Sequence, residues 1–355
     1  MSSGRSLFRT HLAKIAQLFI VALLLGTALS QQASAQIIPF SPPIQLIDND
    51  ANQGSPTIIA FNNQLVMYYV NHSNNTIFVD FGLSGNPRST GIAVWSAEIT
   101  DVGAAVLFPC GGFTCPTVLL SYVSPNQSAT FATSTDGLNF GPGVTPSSFS
   151  LGVGNQNVYT SLVPAVTSSA SVNGRAPTTA IIASVGAADH LVYLSETADG
   201  QRFQEFYTTG QAVSNFTTTS RPSLAVWPAT NELLIGFTSN QPGTRVAVVG
   251  FADRGPGVPG PVRTDISWGN NNRSGNFAGL GLVAFGNFFY VFGQDTASSQ
   301  NLKYIYSSDG TSWSGPVFPG NQMRWTPSLG GFPEVIFTLV YQDDGNTNIS
   351  YRQFQ

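Results

Sequence analysis

The sequence predicts an all-β fold, and three observations favour a six-bladed β-propeller of four-stranded antiparallel blades. Charged residues make up only 9% of the chain, and no amphipathic helical pattern follows residue 36. A turn motif and a proline-marked strand opening both recur along the chain. Their spacing fits a unit of about 54 residues, which suits four short strands. Five or seven blades, a two-layer sandwich and a β-solenoid are the alternatives that the sequence leaves open.

The turn motif occurs three times, each time after a short alternating strand, with the pattern Ser/Thr-x-Asp-Gly-x-x-aromatic. Its residues are Ser134, Asp136, Gly137 and Phe140, then Thr197, Asp199, Gly200 and Phe203, then Ser307, Asp309, Gly310 and Trp313. The aspartate can accept hydrogen bonds from the backbone amides that follow it. The glycine supplies the positive φ of a tight turn, and we expect the aromatic ring to return onto the sheet.

A second signal is a proline at the opening of apolar strands. Pro56, Pro164, Pro222 and Pro327 are separated by 108, 58 and 105 residues, which fit two, one and two units. The missing openings fall near residues 102–104 and 277–279, so the chain contains six repeats. The last repeat holds about three strands, and we expect the segment Ile37–Leu46 to add a fourth strand and close the ring. Closure removes unpaired sheet edges.

The first 35 residues have the pattern of a signal peptide. A basic start is followed by the apolar run Ile15–Leu29 and by the small residues Ala33-Ser34-Ala35. We therefore expect a mature chain of residues 36–355, a single propeller domain secreted to the extracellular space or periplasm. A retained anchor is the alternative, although no later segment reaches the ~20 apolar residues of a membrane span.

The composition after residue 35 indicates which partners, metals and cross-links the protein can have. Eleven basic and 18 acidic residues remain, and they form no clustered basic face for nucleic acid. Cys110 and Cys115 are the only cysteines, and behind a signal peptide they predict a disulfide. The histidines of this part, His72 and His190, are too few for a metal site. We predict no metal and no cofactor.

The turn motif resembles the Asp box of the sialidase superfamily, although the box here is one residue shorter. The resemblance implies a propeller, because Asp boxes are structural and occur in many non-sialidases. It also implies a site in which an arginine cluster binds a carboxylate, with a Tyr–Glu nucleophile and an Asp acid/base. The first repeat reads Gln53-Gly54-Ser55-Pro56 where sialidases carry an arginine, and this departure counts against an ordinary sialidase.

Strand parity places a candidate site at the channel mouth, in front of the innermost strand of each blade. The acids Glu98 and Asp101 with Tyr159 would be catalytic if the protein is an enzyme. Arg221, Arg273, Arg324 and Trp325 are the predicted ligand-binding residues, and the arginines recur 52 and 51 residues apart. Such a cluster can bind a carboxylate or sulfate bidentately. The alternative is that these arginines are solvated or form salt bridges at the rim.

Three functions follow from these residues. The first is a non-catalytic propeller that binds a carbohydrate or a cell-surface glycan, with aromatic residues that stack on sugar faces. The second is a sialidase-like glycoside hydrolase that acts on an anionic sugar. The third is a scaffold for protein partners. These residues are compatible with an enzyme as well as with a binding protein.

Overall fold

The chain folds into small antiparallel sheets, as seen in a computed structural model. The structure describes residues 41–47, 55–71, 73–96, 101–108, 115–155, 158, 163–166, 179–206, 212–213, 217–227, 232–238, 246–252, 260–264, 277–285, 288–295, 301–308, 314–320, 322–332, 336–343 and 348–354. Residues Phe40–Gln355 form one compact unit. The predicted signal peptide lies outside the described residues.

The described strands form six sheets. Blade 1 contains β2 (Thr57–Phe61), β3 (Gln64–Asn71), β4 (Thr76–Phe81) and β5 (Arg88–Ala93). Blade 2 contains β6 (Gly103–Leu107), β7 (Thr117–Val123) and β8 (Ala129–Ser134). Blade 3 contains β9 (Val163–Val166), β10 (Ala180–Val185), β11 (Val192–Thr197) and β12 (Gln204–Glu205).

The other three sheets come next in chain order, and the N-terminal strand joins the last one. Blade 4 contains β13 (Ser223–Trp227), β14 (Glu232–Thr238), β15 (Val246–Ala252) and β16 (Gly260–Thr264). Blade 5 contains β17 (Phe277–Phe285), β18 (Phe288–Asp295), β19 (Leu302–Ser307) and β20 (Ser314–Val317). Blade 6 contains β21 (Met323–Phe332), β22 (Ile336–Asp343), β23 (Ile349–Phe354) and β1 (Ile44–Ile47).

The sheets are arranged in a ring. The first strand of each blade contacts the first strand of the next in the order β2, β6, β9, β13, β17 and β21, and β21 contacts β2 again. Apolar side chains fill the spaces between neighbouring blades, as where Tyr68 and Ile77 of blade 1 share a buried cluster with Leu120 of blade 2. The predicted β-propeller is confirmed, and so are the strand openings expected near residues 102–104 and 277–279.

Local sequence explains the tight connection inside blade 1. Asn62 and Asn63 have φ values of 48° and 60°, and they join β2 to β3 where Phe61 pairs with Gln64. Two consecutive residues at positive φ make the hairpin turn whose twist matches the strands, and asparagine tolerates that conformation well.

The ring is closed by an N-terminal strand, as predicted, but that strand covers Ile44–Ile47, and residues 37–40 of the expected segment lie outside the described residues. Strand β1 pairs antiparallel with β23, with Ile44 opposite Tyr351 and Ile47 opposite Ile349. Just before β1, the Ser41 amide donates to the carbonyl oxygen of Gln353 at 3.0 Å. The first and last parts of the described chain therefore share one sheet.

Blade 2 departs from the four-stranded prediction in the described residues. Its outer segment makes only a bridge to β8, in which Phe131 and Val144 exchange hydrogen bonds of 2.8 and 2.7 Å. Pro142 has no amide to donate, and a Cβ at Gly143 would lie 2.7 Å from Thr130 Cγ2. The Gly-Pro-Gly sequence therefore allows close approach to β8 but not a regular strand.

Two of the predicted turns close through the expected hydrogen bonds. The Asp136 carboxylate accepts from the amides of Leu138 and Asn139 at 2.8 Å, and the Ser134 hydroxyl accepts from the Gly137 amide at 2.9 Å. In blade 3 the Asp199 carboxylate accepts from the amides of Gln201 and Arg202 at 2.8 Å. Asp309, Gly310 and Trp313 of the third turn lie outside the described residues, while Ser307 is buried at the end of β19.

These turns also join neighbouring blades. The Tyr68 hydroxyl of blade 1 donates to the Gly137 carbonyl of blade 2 at 2.8 Å, and the Tyr68 and Phe140 ring centroids lie 6.1 Å apart. The rings of Phe203 in blade 3 and Phe131 in blade 2 are 4.4 Å apart. The aromatic residue of each of these two turns therefore packs against the preceding blade, where burial and ring contacts stabilise the ring of sheets.

Serine hydroxyls link the innermost strands. Ser328 of blade 6 accepts a hydrogen bond from the Ile58 amide of blade 1 at 3.1 Å. Ser223 of blade 4 accepts from the Leu282 amide of blade 5 at 3.0 Å. Both serines directly follow the repeated proline, so this part of the motif provides a hydrogen bond between blades.

Candidate functional site

The innermost strands all begin at one end of the channel, and the residues in front of them form its mouth. Because neighbouring strands are antiparallel, the loops between second and third strands lie at the same end. The turns that contain Asp136 and Asp199 come directly after third strands, so they lie at the opposite end. The strand parity expected from the sequence places Ser55, Asp101 and Arg221 at the mouth.

Three blades meet there through one polar network. The Ser55 amide of blade 1 donates to Asp101 Oδ1 of blade 2 at 2.5 Å. The Arg221 Nη1 of blade 4 donates to the Ser55 carbonyl oxygen at 3.5 Å. In a ring of six sheets, blade 4 lies opposite blade 1, so the guanidinium reaches across the channel. We call Ser55, Asp101 and Arg221 the mouth network.

The charges of the mouth network are unequally exposed. Arg221 is 7% exposed and Ser55 is 3% exposed, whereas Asp101 is half-buried. Burial lowers the pKa of Arg221, and the negative charge of Asp101 acts in the opposite direction. The carboxylate therefore stabilises a guanidinium that the protein holds largely away from water.

The sequence predicted that Asp101 and Arg221 share the mouth, and the structure brings both to the same backbone residue. Glu98, Tyr159 and Arg273 lie outside the described residues. Arg324 and Trp325 lie in β21, at the same end of the channel. The convergence of the three arginines and the catalytic roles of the acids and Tyr159 stay predictions.

Irregular pairing modifies two innermost strands near the mouth. In β21, Arg324 pairs with Gln342 and Ser328 pairs with Val340, so the segment between the two pairs is longer on β21 than on β22. In β17 the register shifts between Ala278 and Leu280. Bulges of this kind re-aim the chain and are common beside functional sites.

A cluster of hydroxyl groups beside Arg221 was not predicted from the sequence. The hydroxyls of Thr218 and Ser220 are 2.9 Å apart, and the Ser220 hydroxyl also contacts that of Thr238. The Thr218 amide donates to the carbonyl oxygen of His190 in blade 3 at 2.7 Å. In the sequence, the run of threonine and serine before Arg221 was the available sign of this cluster. Thr238 joins the cluster only through the fold, because it ends the second strand of the same blade.

Other expectations concern the disulfide, metals and membranes. Cys115 has no free thiol, but Cys110 lies outside the described residues, so their pairing stays a prediction. Among the described residues, no group of three or more His, Cys, Asp and Glu side chains could hold a metal ion. No helix in the part of the chain that the structure describes is long and apolar enough to cross a bilayer.

Comparisons with known proteins support the architecture. No model of a known protein family matches the sequence, and no curated protein matches it. The structure is similar to the Hadza microbial sialidase Hz136, with a TM-score of 0.55 and 14% identity over 83% of this chain. This chain spans 64% of that sialidase.

Two lectins are also similar in structure. The six-bladed fungal lectin from Aleuria aurantia, described with a fucose recognition mode, has a TM-score of 0.56 and 11% identity, covering 84% of this chain and 90% of the lectin. The BP39L lectin from Burkholderia pseudomallei has a TM-score of 0.56 and 13% identity, covering 83% of this chain and 79% of the lectin. At these identities the likeness shows a shared β-propeller fold.

Proposed function

We propose that this protein is a secreted, non-catalytic propeller of sialidase-like type that binds a carbohydrate or a cell-surface glycan at the channel mouth. The mouth network is the observation that carries the proposal, because it gathers charged and polar groups from three blades at one point. Ligand sites of this kind combine a concave surface with a few convergent polar groups. Lectins and a sialidase among the similar structures support a saccharide as the ligand.

The hydrogen bonds that Asp101 and Arg221 make with the Ser55 backbone favour binding over catalysis. Asp101 holds the backbone in front of β2, and the buried Arg221 spans to the same segment. Arg221 and the Oδ1 atom of Asp101 therefore maintain the shape of the mouth. A glycosidase needs two carboxyl groups set about 5 to 10 Å apart on either side of the scissile bond.

A glycan array with the chain of residues 36–355 tests the proposal. We expect retention of a limited set of glycans, and weaker retention by a D101N/R221Q double variant with unchanged circular dichroism. R88Q provides a matched control, because Arg88 is exposed on the outer strand β5, away from the channel. Equal retention by the double variant would place the ligand elsewhere, and an empty array would favour the alternative of a protein scaffold.

The second candidate function is glycoside hydrolysis, which the fold shared with a sialidase and the sequence positions of Glu98 and Tyr159 favour. A panel of fluorogenic glycosides, including a sialoside, separates it from binding alone. Hydrolysis that E98Q and Y159F abolish would establish the enzyme, whereas we expect no turnover by the unmodified chain.

A further inference from the structure

We infer that the mouth presents the carboxylate of Asp101, and not the guanidinium of Arg221, to its ligand, and so selects uncharged saccharides over anionic ones. This inference rests on the proposed glycan-binding function. In a carboxylate-binding arginine cluster, Arg221 would contact the ligand; here Asp101 contacts it and Arg221 supports the mouth.

The acid of the pair is more accessible than the base. Arg221 is 7% exposed and donates to the Ser55 carbonyl, while Asp101 is half-buried. A molecule that arrives from solvent therefore reaches the acid more readily than the guanidinium. Arginine recognises a carboxylate through a planar bidentate contact, which needs an accessible edge of the guanidinium.

An anionic ligand would meet an electrostatic cost at the mouth. To pair with Arg221 it would compete with the Ser55 carbonyl and approach a group whose charge Asp101 already balances. It would also stand close to the Asp101 carboxylate, and like charges at a partly desolvated site repel strongly. The whole chain adds to this effect, because its formal net charge is −4.

A neutral sugar matches the chemistry of the half-buried Asp101 carboxylate. A carboxylate is an acceptor with about four lone-pair positions, and sugar hydroxyls are donors that make short, charge-assisted hydrogen bonds to it. In the hydroxyl cluster before Arg221, Thr218 and Thr238 are as buried as the arginine, and only Ser220 is half-buried. Ser220 is therefore the hydroxyl of this cluster that a saccharide can reach, and it can donate and accept without adding charge.

The experiment compares paired glycans that differ only by a sialic acid or a sulfate, in a low-salt and a high-salt arm of about 0.05 and 0.5 M NaCl (ionic strengths at which the screening length is about 14 and 4 Å). We expect the wild-type chain to retain the neutral member of each pair with little dependence on salt. D101N keeps an oxygen that can accept from the Ser55 amide but removes the negative charge. We expect it to reduce the preference for neutral glycans by about tenfold.

Any other outcome contradicts either this inference or the proposed glycan-binding function. Preferential binding of the anionic glycans, weakened in R221Q, would overturn the inference but leave the glycan-binding function standing. An unchanged preference in D101N would also overturn it. Binding of no glycan would remove the proposed function, and the inference with it. Because Arg221 joins two blades and its substitution can lower stability, D101N and the salt series decide the matter without it.

Discussion

In the turn that contains Asp199, at the end of the channel opposite the mouth, glycine is required both by the backbone conformation and by the space available. At Gly200, φ is +70°, a region in which residues with a Cβ cost about 1–2 kcal/mol. A Cβ there would also lie 2.5 Å from Thr133 Cγ2 of the preceding blade. The turn therefore fixes the backbone and sets how closely blades 2 and 3 approach.

Substitution of Gly200 by alanine should destabilise the protein more than the same change at Gly154. Gly154 has φ +69°, but a Cβ added there would have no atom within 4 Å, so G154A isolates the backbone cost. We expect a loss of about 1 kcal/mol for G154A and about 2–4 kcal/mol for G200A, because overpacking adds about 1–3 kcal/mol. Urea unfolding measures both. Equal losses would show that blade packing at Gly200 is loose.

Asp136 should make stability depend on pH. The hydrogen bonds from the side chain and amide of Asn139 and from the amide of Leu138 lower its pKa. The ordinary pKa of aspartate is about 3.9, so the unfolded chain binds a proton at a higher pH than the folded chain. The stabilisation is therefore complete above about pH 5 and is lost as pH falls through the folded-state value.

We expect the stability difference between wild type and D136N to be largest near neutral pH and to shrink between about pH 5 and 2. Unfolding midpoints in urea at several pH values give this difference. N139A, which removes the side-chain donor but keeps the carboxylate, should show a weaker pH dependence. A constant difference across the range would exclude this role for the carboxylate.

At the mouth, the sequence predicted which residues lie at the same end of the channel but not which of them are buried. The repeat spacing predicted that Asp101 and Arg221 share one end of the channel, because each precedes an innermost strand. It did not show that Arg221 is buried and spans towards blade 1, since burial depends on side chains brought from distant blades. Thr238 could not be assigned to the site for the same reason.

Among the elements, the innermost strands are linked by hydrogen bonds to the serine that follows the repeated proline. The repeat showed where these serines lie, but not that they join two blades. The spacing of the repeated proline predicts the number of blades, and the serine after it provides the link between β21 and β2 and between β13 and β17. Blade 2 shows the converse limit. Its outer segment fits the repeat length, but Pro142 and Gly143 leave a single bridge where a fourth strand was expected.

Removing these serine hydroxyls should loosen specific pairs of blades. S328A leaves the Ile58 amide without its acceptor, and S223A does the same to the Leu282 amide. We expect each to cost about 1–3 kcal/mol, the usual effect of an unsatisfied buried donor. The double variant should be nearly additive because the two bonds lie at different interfaces.

Thermal and urea unfolding of these variants provide the measurement, with S314A as the control. Ser314 is exposed on the outer strand β20, and we expect its substitution to change stability by less than about 0.5 kcal/mol. If S223A and S328A behave like S314A, water replaces the serine hydroxyl at the channel wall.

At the scale of the whole molecule, one short pairing between the ends of the described chain completes the last blade, and we expect the stability of the ring to depend on it. The sequence predicted this closure from a simple count, because the last repeat was one strand short. The pairing buries part of Leu46 against the cluster that joins blades 6 and 1, which contains Ile58 and Val340. Loss of β1 would expose the β23 edge and weaken the interface at which the ring closes.

A pair of truncated chains tests this dependence. A chain that begins at Ser41 keeps β1 and its contacts with Gln353, whereas a chain that begins at Asp48 lacks both. We expect the longer chain to unfold at the temperature of the mature protein. The shorter chain should lose about 3 kcal/mol, which lowers the midpoint by roughly 4–5 °C in a domain of this size, and its open strand edge should promote association on size-exclusion chromatography. Equal midpoints and a monomeric shorter chain would mean that packing between the first and last blades holds the ring without the borrowed strand.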